Sequence, residues 1–140
     1  MANEQTPDAE QLQYLHGLYM QQYNLIVNNI NSYANVIASL KSNIEAFEKH
    51  AELRNKSALM PLDGGTFVEV KVGNMEKAVV GVGSGYFVEK GLPEAKAFLE
   101  ENVKKEEELL EKMSEQKAVV EAELVKIEAQ LSSLQQEEMK

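Results

Sequence analysis

The same heptad-like pattern occurs twice in this chain, on either side of a short glycine-rich stretch. In the first half Leu12, Leu15, Tyr19, Tyr23, Ile26, Ile30, Tyr33, Ile37, Leu40, Ile44, Phe47 and Ala51 follow one another at steps of three or four. In the second half Leu99, Val103, Leu110, Met113, Val120, Leu124, Ile127, Leu131 and Leu134 keep the same rhythm, with Glu106 and Lys117 as polar occupants. Such spacing lines side chains along one narrow stripe of a helix, the seam that a partner helix covers. Two stripes of matching length predict an antiparallel coiled-coil hairpin, each helix about 65–70 Å long at 1.5 Å per residue. Two consecutive four-residue steps, Leu15–Tyr19–Tyr23, form a stutter that locally straightens the supercoil.

Between Ser57 and Gly91 the period changes from 3.6 to 2. Asp63-Gly64-Gly65 marks a first tight turn and Gly83-Ser84-Gly85 a second, with strands over Thr66–Val72, Ala78–Val82 and Tyr86–Lys90. Pro61 lacks a ladder donor, which places the first strand at an edge. Val68, Val70, Val72, Val80, Val82 and Val88 supply one apolar face, with Tyr86 beside it. Four short strands with no covering helix cannot bury such a face alone, so it calls for another subunit. The expected fold is therefore mainly α with a small β head: one domain over 1–140, with a helix at 9–55, two β-hairpins at 57–91 and a helix at 93–137. Met1 to Asp8 is expected to be a frayed tail.

Charge is distributed unevenly. The chain is acidic, with a formal net charge of −9, and most of the excess lies beyond Gly91, as a solvated coiled-coil flank would have it. An acidic chain without a basic cluster is unsuited to nucleic acid, because phosphate neutralisation needs Lys and Arg. From Gln11 to Leu40 there is no charged residue at all, and amides such as Gln13, Gln21, Gln22, Asn24, Asn28, Asn31 and Asn35 occupy the outward positions. They interrupt each apolar run short of a membrane span. Asn3, Glu4, Gln5, Thr6 and Asp8 offer neither the basic nor the apolar region of a signal peptide, so the expected location is cytoplasmic. With no cysteine, disulfides and thiolate metal sites are excluded.

Candidates for catalysis are equally lacking. Gly81-Val82-Gly83-Ser84-Gly85-Tyr86 carries tyrosine where a dinucleotide fingerprint needs its third glycine, and a strand follows where a helix should open. No Gly-Lys-Ser/Thr run exists for a phosphate loop. His16 and His50 stand near opposite ends of the first helix, too far apart to share a metal. The expectation is a non-enzyme without cofactor or metal.

Helix, two β-hairpins and helix is also the order of prefoldin α-class subunits, and the central residues resemble that family. Met60-Pro61-Leu62 resembles the start of its first hairpin. Val79-Val80-Gly81-Val82-Gly83-Ser84-Gly85-Tyr86-Phe87-Val88-Glu89-Lys90 is similar to its second, and Ala95, Phe98 and Leu99 to the start of its second helix. The resemblance implies an ATP-independent holdase, a hexamer of two α-class and four β-class subunits whose hairpins join a β-barrel platform. Its coiled-coil tips would hold unfolded polypeptide and pass it to a group II chaperonin. An archaeal α subunit fits best, a eukaryotic one being the alternative. Leu12, Tyr14, Leu15, Leu18, Tyr19, Met20, Ile127, Leu131 and Leu134 would then form the client-binding tips, with Tyr14, Leu18 and Met20 outside the narrow seam. Val68, Val70, Val72, Val80, Val82, Tyr86 and Val88 would form the oligomerisation head. A competing reading is a structural tether that joins complexes and holds no client.

Overall fold

The computed structural model describes residues 8–138. Helix α1 spans Ala9–Glu48 and a single turn, α2, spans His50–Leu53. Strands β1 (Ser57–Pro61) and β2 (Phe67–Lys71) form one antiparallel hairpin, and β3 (Lys77–Gly83) and β4 (Tyr86–Gly91) a second. Helix α3 runs over Leu92–Glu138. The chain divides into two compact units, a helical unit of Met1–Asn35 with Glu107–Lys140 and a hairpin unit of Val36–Glu106.

In the helical unit α1 starts on a reciprocal cap. Asp8 Oδ1 accepts a hydrogen bond from the Gln11 backbone N–H at 2.8 Å, and Gln11 Oε1 accepts one from the Asp8 N–H at 3.3 Å. This capping box satisfies donors that a helix start otherwise leaves open. Asp8, expected in the frayed tail, is thus the cap of the helix; the rest of that tail lies outside the described residues. The seam forms as the periodicity predicts. Leu12, Val120, Leu124 and Ile127 are buried, and Tyr19, Tyr23, Ile26, Ile30, Leu131 and Leu134 are half-buried. Antiparallel pairing shows in two contacts: His16 Nε2 lies 3.2 Å from Glu128 Oε1, and the Lys117 ammonium sits 6.0 Å from the centre of the Tyr23 ring. Lys117 therefore tolerates its seam position by placing its ammonium over an aromatic face.

The stutter departs from the expectation. Leu15 turns outward, while His16 and Met20 turn in and are half-buried. Successive steps of four rotate the covered stripe around the helix, so the residue after Leu15 takes its place. Met20, expected outside the seam, belongs partly to it.

In the hairpin unit Ile37, Leu92, Ala95, Leu99 and Val103 are buried, and Lys96 Nζ lies 3.1 Å from Glu48 Oε1. The helix expected over 9–55 is interrupted: Lys49 has φ −94° and ψ 14°, and α2 follows for one turn before Asn55 takes φ 67°. Asparagine tolerates this left-handed conformation. Its N–H donates to the Val72 carbonyl at 2.8 Å, and the Val72 N–H donates to that of Lys56 at 2.8 Å, which closes the first hairpin behind the helix. Ala51, placed in the seam by periodicity, lies beyond the interruption and is exposed.

One seam position carries a defect. Glu106 is half-buried, and its Oε2 is shielded from solvent without a hydrogen-bond partner. A buried unpaired acceptor costs about 1–3 kcal/mol. Glu106→Leu completes the apolar stripe and is expected to raise the thermal midpoint, followed by circular dichroism at 222 nm; an unchanged or lower midpoint contradicts the assigned cost.

Candidate functional site

Two surfaces carry exposed apolar side chains, one in each unit. In the helical unit Tyr14 is 69% exposed and Leu15 and Leu18 about two-fifths. A helix flank that faces water ordinarily carries charge, as α3 does with its Lys105–Glu101 pair one turn apart. The α1 flank instead alternates these apolar groups with uncharged amides. Of the residues predicted to form the tip, Leu12 and Ile127 are spent on the seam. Tyr19, Met20, Leu131 and Leu134 are half-buried, and Tyr14, Leu15 and Leu18 stand free. Periodicity alone missed further exposed residues of the same unit, among them Leu25, Val119 and Val125; they sit outside the seam, and their signal is apolar character on a face where amides or charges belong.

In the hairpin unit the two hairpins are separate two-stranded sheets. The first turns through Asp63–Gly65, where Gly64 and Gly65 have φ 77° and 75°, values that favour glycine. Its strand register pairs Met60 with Val68 and Ala58 with Val70. The second pairs Val80 with Val88, but its register shifts between Gly81 and Gly83, leaving Val82 as the extra residue of a bulge. The predicted head residues divide into two groups. Val80 is buried within the subunit, and Val68 and Val72 are half-buried. Val70, Val82, Tyr86 and Val88 are exposed.

The opposite faces carry apolar groups as well, set among the charged Glu69, Lys71, Lys77 and Glu89. Leu59, Phe67, Val79 and Phe87 are all more than half exposed. Phe67 pairs with Pro61, and Phe87 lies opposite Gly81, where a β-carbon would sit 3.5 Å from its ring. Hairpins that expose large apolar groups on both faces and leave their edges unpaired are built to be covered.

Below the hairpins an open groove of about 530 Å³ is floored by Phe47, Met75, Leu92 and Pro93. The Glu48–Lys96 pair lies on its wall. Hydrogen bonding to Glu48, and then the charge of that carboxylate, keeps the Lys96 ammonium protonated above its ordinary range. Likewise the hydrogen bond from Lys49 holds the Glu45 carboxyl below the usual carboxylate range. Both pairs are exposed and add little to stability. Among the described residues no three His, Cys, Asp or Glu side chains are placed to hold a metal ion, and no helix is long and apolar enough to cross a membrane.

Comparison with known proteins places this architecture. A family profile described as "Prefoldin subunit" matches residues 19–137, both helices and both hairpins included. The chain belongs to the prefoldin family. Its relatives are archaeal α subunits of prefoldin. It is 41% identical over 81 residues to that of Archaeoglobus fulgidus, a match spanning 58% of this chain and 59% of the relative's length. It is 26% identical over 133 residues to that of Pyrococcus horikoshii, spanning 94% and 90%. Among solved structures, a filamentous prefoldin from Methanocaldococcus jannaschii is 26% identical, with a TM-score of 0.54, over 86% of this chain and 94% of that one. This is thus an α-class member of a chaperone family, and the resemblance of its central hairpins extends through its helices.

Proposed function

We propose that this prefoldin subunit is part of an ATP-independent holdase, assembled from two α-class and four β-class chains through the β-hairpins. In this reading its helix ends capture unfolded polypeptide in the cytoplasm and pass it to a group II chaperonin. The observation that carries the reading is the uncharged α1 flank with Tyr14, Leu15 and Leu18 exposed. Free apolar groups among amides bind hydrophobic segments without demanding a sequence or a charge. Large apolar groups exposed on both faces of the hairpins support assembly through that unit, and family membership supports the chaperone role.

The test is suppression of aggregation by the assembled complex. Tyr14→Glu with Leu18→Glu charges the flank at two exposed positions and is expected to weaken protection of a denatured client severalfold while leaving the hexamer intact. Unchanged protection would instead favour the tether reading.

Nucleotide is expected to play no part. The chain carries no phosphate loop, so calorimetric titration with ATP and magnesium should show no binding, and client holding should persist in EDTA. ATP turnover that co-purifies with the complex through further steps would count against a holdase.

A further inference from the structure

The two hairpins are tied to the rest of their unit very unequally. In the second, Val80 is buried, and Ala78, Lys90 and Gly91 are half-buried. The Lys90 ammonium sits 5.5 Å from the centre of the Phe98 ring on α3. At its base the Leu92 N–H donates to the Glu76 carbonyl at 3.0 Å, where Leu92, Ala95 and Leu99 are buried. The first hairpin has no such anchor. Every residue of β1 is exposed, and in β2 only Val68 is half-buried. Among the described residues, no side chain of β1 or β2 makes a hydrogen bond, ion pair or ring contact. Its ladder and the Asn55–Val72–Lys56 hydrogen bonds join the hairpin only to itself and to its own base.

A lone two-stranded hairpin is marginally stable at best in water. Exposed ladder bonds and the lack of buried side chains put this one at the low end of local stability. Resting on the reading that the subunit assembles through its hairpins, we propose that the first hairpin is open in the unassembled subunit and folds only as it pairs with a partner subunit. The second hairpin, already formed against α3, docks first. The linker of residues 72–76 spans at most about 18 Å. Once the second hairpin has docked, the first is held beside the partner, and its pairing becomes intramolecular. Conformational entropy of residues 57–71 is lost only at that step, which keeps the first encounter weak and reversible.

Hydrogen exchange read by mass spectrometry compares the complex, reconstituted with its β-class partner, with the subunit alone. The lone subunit is kept at a dilution where sedimentation velocity shows a single chain. In it, residues 57–71 are expected to exchange within about tenfold of the unprotected rate, and to slow at least about a hundredfold in the complex. Residues 77–91 are expected to be protected in both samples. A second measurement uses Leu59→Cys with Glu69→Cys, which face each other across the hairpin at a spacing suited to a disulfide. The chain has no other cysteine, so the oxidised and reduced forms of one variant differ only in the staple. Titrated with labelled β-class partner, the oxidised form is expected to bind at least about tenfold more tightly, because its hairpin is already ordered. Strong protection of residues 57–71 in the lone subunit, or an oxidised form that binds no better than the reduced one, would overturn the proposal while a stable complex leaves the assembly reading standing. A mixture that forms no complex, or a complex in which neither hairpin gains protection, removes the assembly reading and the proposal with it.

Discussion

Removing residues up to Met20 together with those beyond Ile127 is expected to leave an assembled complex that no longer suppresses client aggregation. The His16–Glu128 contact shows that the two cuts take away the same end of the helical unit, leaving α3 about one turn longer than α1. Roughly four heptads of seam remain, sufficient for a stable coil once the hairpins are assembled. Gone are Tyr14, Leu15 and Leu18, exposed apolar groups of that end. Light scattering of a diluted denatured client should therefore rise almost as without the complex. The comparison requires unaltered β-class arms in both samples. Equal protection of several clients by truncated and full-length complexes would reassign the exposed end to packing between arms.

A carboxylate at Val82 is expected to disperse the complex into subunits or dimers. Val82 is 45% exposed within the subunit and sits at the bulge of the second hairpin, so Val82→Asp costs the isolated chain little. Covered by a partner strand, the same group becomes an unpaired buried charge, at a cost of several kcal/mol. Sedimentation velocity reads the assembly, and far-ultraviolet circular dichroism should still report intact helix. Val80→Asp is the informative contrast: Val80 is buried within the subunit, so that variant should also lower the thermal midpoint of the chain itself. A Val82→Asp chain that sediments as full hexamer would exclude the hairpin bulge from the interface.

Period carried most of this architecture. Steps of three and four located the seam from Leu12 to Phe47 and from Leu99 to Leu134, because burial on a helix repeats with the turn. The change to a period of two, bracketed by Asp63-Gly64-Gly65 and Gly83-Ser84-Gly85, located both hairpins. Where period is ambiguous, the outcome was hidden. At a stutter, Leu15 and His16 are equally placed to face the partner, and only the packing of α3 decides in favour of His16. The Asp8–Gln11 capping box is legible in its spacing alone, an Asp followed three residues later by Gln before an apolar run. The break at Lys49 has no glycine or proline to announce it. It arises where Asn55 and Lys56 must reach Val72, a tertiary demand. The apolar second faces of the hairpins were concealed because Glu69, Lys71 and Glu89 alternate with the valines, which draws attention from Leu59, Phe67, Val79 and Phe87.

Those two-faced hairpins bear on how many copies a cell can carry. A chain without partners displays Leu59, Phe67, Val79, Tyr86 and Phe87 to solvent on strands whose edges are unpaired. These are the features by which aggregation starts and by which quality-control proteases select their targets. Subunit made in excess of its partners is therefore expected to be removed or to precipitate, so that the solubility of the parts would hold the composition of the complex in balance.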